Sequence, residues 1–105
     1  MDFGHMQKAV HQTSVDSGFW ADIGFIGEND LFLANKFVLM HSEISEAYEE
    51  FRKIERSDEL IEEELADAVI RIMDFAEFCE YDLEKAIAKK NTHNRTRPYK
   101  HSKRF

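Results

Sequence analysis

The sequence predicts an all-α fold, an antiparallel four-helix bundle that forms one domain over residues 1–105. Two observations lead to this prediction. Apolar residues recur at alternating steps of three and four through two long segments, which is the spacing of a helix face that packs on a core. No segment has the pattern of a β-strand, and no internal repeat is found. Helices without strands pack on one another as a bundle.

The first helix is predicted from Phe3 to about Ser17, and a glycine-containing aromatic connector, GFWADIGFIGEN, follows it. Asn29 or Asp30 is expected to cap a long second helix that runs to about Arg56. Steps of four and three define the predicted core stripe of this helix. Its members are Leu33, Phe37, Met40, Ile44, Ala47, Phe51 and Ile54.

A third helix is predicted from about Asp58 to Cys79, with Ser57 and Asp58 supplying its cap. Between Leu65 and Phe78 this helix is apolar nearly all round, so we expect it to be the central helix of the bundle. Its own core stripe repeats the same steps along the segment. The members are Ile61, Leu65, Ala68, Ile72, Phe75 and Cys79.

The fourth helix is predicted from Leu83 to Asn94, with Asp82 as its cap and a basic tail from about residue 96. Charge divides sharply along the chain. Residues 1–84 contain 6 Lys/Arg and 21 Asp/Glu, whereas residues 85–105 contain 8 Lys/Arg and no acid. A tail this basic is expected to contact phosphate groups or the acidic body of its own fold.

Two pairs of carboxylates, Glu43-x-x-Glu46 and Glu64-x-x-Asp67, each begin one residue before a member of an apolar stripe. One residue turns a helix by about 100°, so these acids are expected to flank the core. If the second and third helices pack through their stripes, both pairs converge on one groove. Carboxylates at i and i+3 are about 5–6 Å apart, and each such pair costs roughly 3 kcal/mol in a protein environment.

Four carboxylates in one groove would bind protons or hold a hard divalent cation. Because every candidate ligand is an oxygen, we expect Mg²⁺, with Mn²⁺ as a substitute. Farther along the third helix, Asp74 is expected to pair with Arg71 or to support the metal site from behind it. The alternative is that these acids form a solvated helix face, since charged residues make up 33% of the chain.

These motifs resemble those of the MazG-like all-α nucleoside triphosphate pyrophosphohydrolases, which include the dimeric dUTPase and dCTPase branches. The family signature is EExxE on one helix and ExxD on the next. Here HSEISEA and EEELADAVIRIMD supply these acids, with seventeen residues between Glu46 and Glu64. The stretch KKNTHNRTRPYKHSKRF resembles the Lys, Asn and Arg cluster that holds the triphosphate in many members. One departure is Ser42, which replaces the leading glutamate.

The resemblance implies hydrolysis of a nucleoside triphosphate to the monophosphate and pyrophosphate, with a house-cleaning role in nucleotide metabolism. The metal ligands and catalytic residues would be Glu43, Glu46, Glu64 and Asp67. One of them, with Glu43 as the first choice, could instead orient or deprotonate the attacking water.

The resemblance also implies that Lys90, Asn94 and Arg97 contact the β and γ phosphates. Lys90 and Asn94 share one helical face, and the Arg97 guanidinium can donate two parallel hydrogen bonds to phosphate oxygens. Trp20 could stack on the nucleobase, or it could pack the connector onto the bundle.

For partners we expect a homodimer first and a tetramer second, because four short helices leave much apolar surface uncovered. No apolar run is long enough to span a membrane and no signal peptide is recognised, so a cytoplasmic protein is expected. The alternative function is a non-enzymatic helical module whose basic tail binds nucleic acid, although the acidic body would repel a polyanion. A di-iron carboxylate bundle is disfavoured because neither acidic pair is followed by the histidine it requires.

Overall fold

A computed structural model describes residues 2–23 and 29–96 of the chain. In these ranges it contains four helices and no strand, which confirms the all-α prediction. The helices are α1 (Phe3–Asp16), α2 (Asn29–Phe51), α3 (Asp58–Phe78) and α4 (Leu83–Thr96). None of the described helices is long and apolar enough to cross a lipid bilayer.

Side-chain caps fix where three of the helices begin. The Ser57 hydroxyl accepts a hydrogen bond from the backbone N–H of Leu60 at 3.3 Å, and the Asp82 carboxylate accepts one from Lys85 at 3.0 Å. Asp2 caps α1 in the same way. Each cap satisfies a backbone donor that has no partner inside the helix, and the predicted caps at Ser57 and Asp82 are confirmed.

The second helix ends at Phe51, five residues before the predicted end at Arg56. After Phe51, the backbone N–H of Lys53 donates a hydrogen bond to the Glu50 carbonyl at 3.4 Å. This bond joins residues three apart, as in a 3₁₀ turn, and so tightens the end of the helix. Helix propensity would allow the helix to continue through residues 52–56. The chain instead reverses there because α3 packs back along α2.

The third helix is central, as its apolar composition predicts, because it packs against α2 on one side and α1 on the other. Two long-range contacts fix the antiparallel register of α2 and α3. The Arg71 guanidinium pairs with Glu43 at 2.7 Å, and the rings of Phe37 and Phe75 lie 4.7 Å apart. The side chains on facing edges of the two helices are therefore brought to the same level.

The first helix is joined to α3 by polar and aromatic contacts. Gln7 Nε2 donates to a Glu77 carboxylate oxygen at 3.0 Å and to the Tyr81 carbonyl at 2.9 Å. Trp20, in the turn after α1, stacks on Phe78 with a centroid distance of 4.2 Å. In contrast, α4 packs on α1 and has no buried residue.

The predicted core stripe of α2 is largely uncovered in a single chain. Phe37, Ile44 and Phe51 are 49%, 53% and 54% exposed, whereas Glu43 is only 7% exposed. The helix is thus rotated so that the boundary between its apolar and acidic stripes contacts α3, and Arg71 supplies the positive charge that allows Glu43 to be buried. By helical phase, an apolar face lies opposite the acids. It consists of Phe37, Ile44, Phe51, Leu65 and Ile72.

Candidate metal centre

Helices α1, α2 and α3 enclose a groove of about 270 Å³, which we call the acidic groove. One wall is formed by α1 and the turn after it, and the other wall by α2. Helix α3 forms the floor between them. Carboxylates and hydroxyls dominate its polar lining, which also contains one arginine. These polar residues are Thr13, Ser14, Ser17, Glu43, Asp67, Arg71 and Asp74.

Three carboxylates from the two predicted motifs come together at the edge of this groove, which Glu43 and Asp67 line. Glu43, Glu64 and Asp67 each offer an oxygen within 4.8 Å of the others. Glu46 is a neighbour of Glu64, and its carboxyl group is the largest cause of the raised pKa of Glu64. The structure therefore brings three of the four predicted acids together, and Glu46 lies next to the set as a neighbour of Glu64.

Glu64 lies in the least favourable electrostatic environment of the four. The shared hydrogen bond with Glu46 raises the pKa of Glu64 most, followed by burial and by the negative charges of Glu46, Asp67 and Glu43. Its Oε2 atom is buried and has no hydrogen-bond partner among the described residues. An orphaned carboxylate oxygen beside other carboxylates fits either a proton or a hard, oxygen-binding cation such as Mg²⁺ or Mn²⁺.

Arg71 is the counter-charge for the most buried member of the set. Its Nε donates to Glu43 Oε1 at 2.7 Å, and its side chain remains 32% exposed at the groove. The expected pairing of Arg71 with Asp74 is wrong. The guanidinium instead crosses from α3 to α2, where it offsets the desolvation of a buried carboxylate.

Asp74 is 7% exposed and is fully engaged by donors from α1 and the turn after it. The Ser14 hydroxyl donates to Oδ2 at 2.6 Å, and Trp20 Nε1 donates to Oδ1 at 2.9 Å. His11 Nδ1 lies 2.7 Å from the same Oδ1. Because the lone pairs of Asp74 are directed at these donors, the residue holds α1 onto α3 and is not positioned as a metal ligand.

The Trp20 indole is 7% exposed, so the predicted stacking of a base on this ring receives no support from the structure. Phe78 covers the ring at a 9° interplanar angle, and Lys36 Nζ lies 4.4 Å from its centroid. A base could stack on that covered face only if Phe78 moved away. The alternative role, packing the connector onto the bundle, matches the observed contacts.

The two predicted phosphate ligands that the structure describes do not line the acidic groove of the same chain. Lys90 and Asn94 are exposed on α4 and line a separate open groove of about 560 Å³, together with Phe3 and Ile87. Arg97 lies outside the described residues. Within one chain, the acids and the described phosphate ligands therefore occupy different surfaces.

Two contributions to the groove were missed from the sequence. Arg71 was expected to pair with Asp74, although its position four residues after Asp67 places it on the acidic side of α3. Ser14 contributes a neutral hydroxyl, which carries no charge pattern that would identify it. Arg71 thus had a sequence signal, whereas Ser14 had none.

No protein-family model matches this chain, and neither a curated protein nor a solved structure matches it. The resemblance to the MazG-like hydrolases therefore rests on the acidic motifs and the basic stretch alone.

Proposed function

We propose that this protein is a Mg²⁺-dependent nucleoside triphosphate pyrophosphohydrolase of the MazG-like type. It would hydrolyse the bond between the α and β phosphates and release a nucleoside monophosphate and pyrophosphate. One observation carries the proposal: Glu43, Glu64 and Asp67 offer three oxygens within 4.8 Å of one another on two antiparallel helices. The unpartnered Glu64 Oε2 supports it, because a bound cation would satisfy this oxygen.

The residues that would hold Mg²⁺, or Mn²⁺ in its place, are Glu43, Glu64 and Asp67, with Glu46 beside them. When bound, the cation supplies Lewis acidity for a phosphoryl oxygen and lowers the pKa of a water molecule. Glu43 was the first choice for orienting that water, but its Oε1 accepts a hydrogen bond from Arg71. Glu46 is exposed at the border of the set, so it is better placed to accept the proton of the attacking water.

The acidic groove has a volume of about 270 Å³. Typical small-molecule sites are slightly larger, at about 300–1,000 Å³. It therefore has room for the phosphates and leaves much of a nucleotide outside. Lys90 and Asn94, which the resemblance assigns to the distal phosphates, line a different groove of the same chain and are not part of this proposed site. Nucleotide house-cleaning is the role that the resemblance suggests.

A homodimer is proposed because the apolar face of α2 and α3 is largely exposed among the residues that the structure describes. Ile44 lies midway along the α2 part of this face and Phe51 at its end, and each is more than half exposed. Contiguous apolar patches of this kind mark interaction sites, and a second copy offers the same face. A tetramer would pair two such dimers and is the second choice.

The activity is tested by measuring pyrophosphate release with Mg²⁺ across a panel of canonical and modified nucleoside triphosphates. Wild type is compared with Glu64→Gln and with Glu49→Gln, a matched change at an exposed glutamate that pairs with Arg52. Mutation of a residue that only supports a metal ligand reduces metal affinity or activity by about 10–100-fold. Glu64 would be a ligand itself, so Glu64→Gln should reduce pyrophosphate release by at least about 100-fold. Glu49→Gln should match wild type, and EDTA should abolish release.

Absence of release from every nucleotide by folded, Mg²⁺-supplied wild type would contradict the proposed function. Equal pyrophosphate release by Glu64→Gln and wild type would show that the clustered acids are not needed for the reaction. Salt-sensitive binding to DNA or RNA by a protein that releases no pyrophosphate would instead favour the nucleic-acid-binding alternative.

The homodimer is tested with Ile44→Glu, which places a charge midway along the α2 part of the apolar face. Sedimentation equilibrium should show a dimer for wild type and a monomer for this variant, since a buried unpaired carboxylate opposes association. Val38→Glu is the control, because Val38 is 60% exposed on another side of α2. Dimeric Ile44→Glu, or monomeric wild type at micromolar concentration, would contradict the proposed interface.

A further inference from the structure

The acidic groove has a charge problem that a triphosphate substrate would make worse. The described residues that line it include three carboxylates, Glu43, Asp67 and Asp74, and a single cationic side chain, Arg71. Glu64 and its neighbour Glu46 add further negative charge. A triphosphate is itself a polyanion, so one divalent cation would leave groove and substrate with a net repulsion. A positively charged side chain that contacts the phosphates directly would offset this repulsion.

Arg71 is in the required place and has the required geometry. Only its Nε is engaged by Glu43 among the described residues, which leaves the terminal N–H groups to donate two parallel hydrogen bonds. About a third of the side chain is exposed, at the groove. Lys90 and Asn94, the phosphate ligands that the sequence suggests, line a different groove of the same chain.

We infer that Arg71 contacts a substrate phosphate in the acidic groove, and that its pairing with Glu43 is the arrangement without a cation. Glu43 is both the partner of Arg71 and a member of the metal-binding set. When Glu43 turns its oxygens toward a cation, the guanidinium is released and its donors become available to phosphate. This inference rests on the proposed function and adds the residue that receives the phosphate.

The inference predicts that Arg71→Gln changes the affinity for phosphate and the affinity for Mg²⁺ in opposite directions. Binding of phosphate should weaken by about 10–100-fold, because hydrogen bonds to a charged group are lost. Binding of Mg²⁺ alone should tighten by about three- to tenfold, because a positive charge and a competitor for Glu43 are removed. A merely structural role for Arg71 would weaken both. Arg71→Lys should bind phosphate with intermediate affinity, since lysine keeps the charge but not the paired hydrogen bonds.

Two titrations by isothermal calorimetry test these signs without knowledge of the nucleobase. The first uses Mg²⁺ alone, and the second uses inorganic triphosphate in the presence of saturating Mg²⁺. Arg52→Gln is the matched control, because Arg52 also pairs with a glutamate but lies exposed outside the groove. Circular dichroism checks that each variant is folded, and Arg71→Lys provides the test if Arg71→Gln does not fold.

The possible results separate this inference from the proposed function. Triphosphate binding that is absent in wild type or unchanged in Arg71→Gln overturns the role of Arg71, even if wild type releases pyrophosphate from nucleotides. Weaker Mg²⁺ binding by Arg71→Gln overturns the exchange at Glu43. Conversely, if Arg71→Gln loses triphosphate binding while wild type hydrolyses no nucleotide, the anion site stands and the proposed reaction fails.

Discussion

Two carboxylates on the same helix, Asp74 and Glu64, differ in what surrounds them. They lie ten residues apart on α3, which is about 15 Å along the helix. Asp74 is engaged by a hydroxyl, an indole N–H and an imidazole nitrogen. Glu64 has an unpartnered buried oxygen and three acidic neighbours that raise its pKa.

The difference shows that the hydrogen-bond partners of a carboxylate, considered together with its burial, indicate what it does, since Asp74 is 7% exposed and Glu64 is only half-buried. Hydrogen bonds to a charged group each contribute about 1.5–3 kcal/mol, so the donors around Asp74 stabilise both its charge and the docking of α1. Nothing comparable stabilises the charge of Glu64 in the described residues. A cation would supply that stabilisation, which is why the Glu64 end of the groove is the functional candidate and the Asp74 end is structural.

The comparison is tested most strongly by Asp74→Ala. This change leaves the buried donors of Ser14 and Trp20 without an acceptor, and we expect a loss of about 3–5 kcal/mol in the free energy of unfolding. Urea denaturation followed by circular dichroism measures it. Asp30→Ala, at an exposed acid in the first turn of α2, should cost at most about 1 kcal/mol. Similar losses for both variants would mean that the Asp74 contacts contribute little.

The next largest effect is expected from Mg²⁺ on stability. At a Mg²⁺ concentration of 100 times Kd, wild type should gain about 2.7 kcal/mol, because only the folded chain assembles the acids. Glu64→Gln should show little of this gain, while without Mg²⁺ it should be at least as stable as wild type. Thermal unfolding with and without Mg²⁺ measures both quantities. Equal stabilisation of the two proteins would place the cation elsewhere.

The smallest expected effect is on the pH dependence of stability without a divalent cation. The pKa of Glu64 is raised above its ordinary value of 4.5 in the folded chain. Between these two values the folded state binds more protons than the unfolded state, so stability should fall as pH rises through this window. In Glu64→Gln, the free energy of unfolding should not show this part of the fall with rising pH. Urea midpoints from pH 4 upward, compared for the two proteins, would reveal the difference, and parallel curves would contradict the raised pKa.

Much of the fold could be predicted because its signals are local. Helical periodicity and the capping residues Ser57 and Asp82 give the number, order and several ends of the helices. The end of α2 could not be predicted, since the segment after Phe51 has ordinary helix propensity and the reversal depends on α3. The rotation of α2 was also missed, because periodicity shows that an apolar stripe exists but not which neighbour covers it.

The candidate site was predictable in part for the same reason. The spacing of the acids and the pairing of two neighbouring helices are enough to bring Glu43, Glu64 and Asp67 together. The partners of Asp74 are 54 to 63 residues away in sequence, so no local pattern could identify them. The position of Lys90 relative to the acids likewise depends on how α4 packs, which its sequence does not determine.

The packing of α1 on α3 has a consequence for the order in which the chain folds. The α2–α3 hairpin is joined by a short turn, whereas the hydrogen bond from Ser14 to Asp74 closes a loop of 60 residues. Loop closure costs more entropy as the separation grows, so the hairpin should form first and α1 should dock last. All the clustered acids lie on the hairpin, and their mutual repulsion therefore opposes the earliest step. Mg²⁺ in the refolding buffer should relieve that repulsion and speed the collapse of the hairpin.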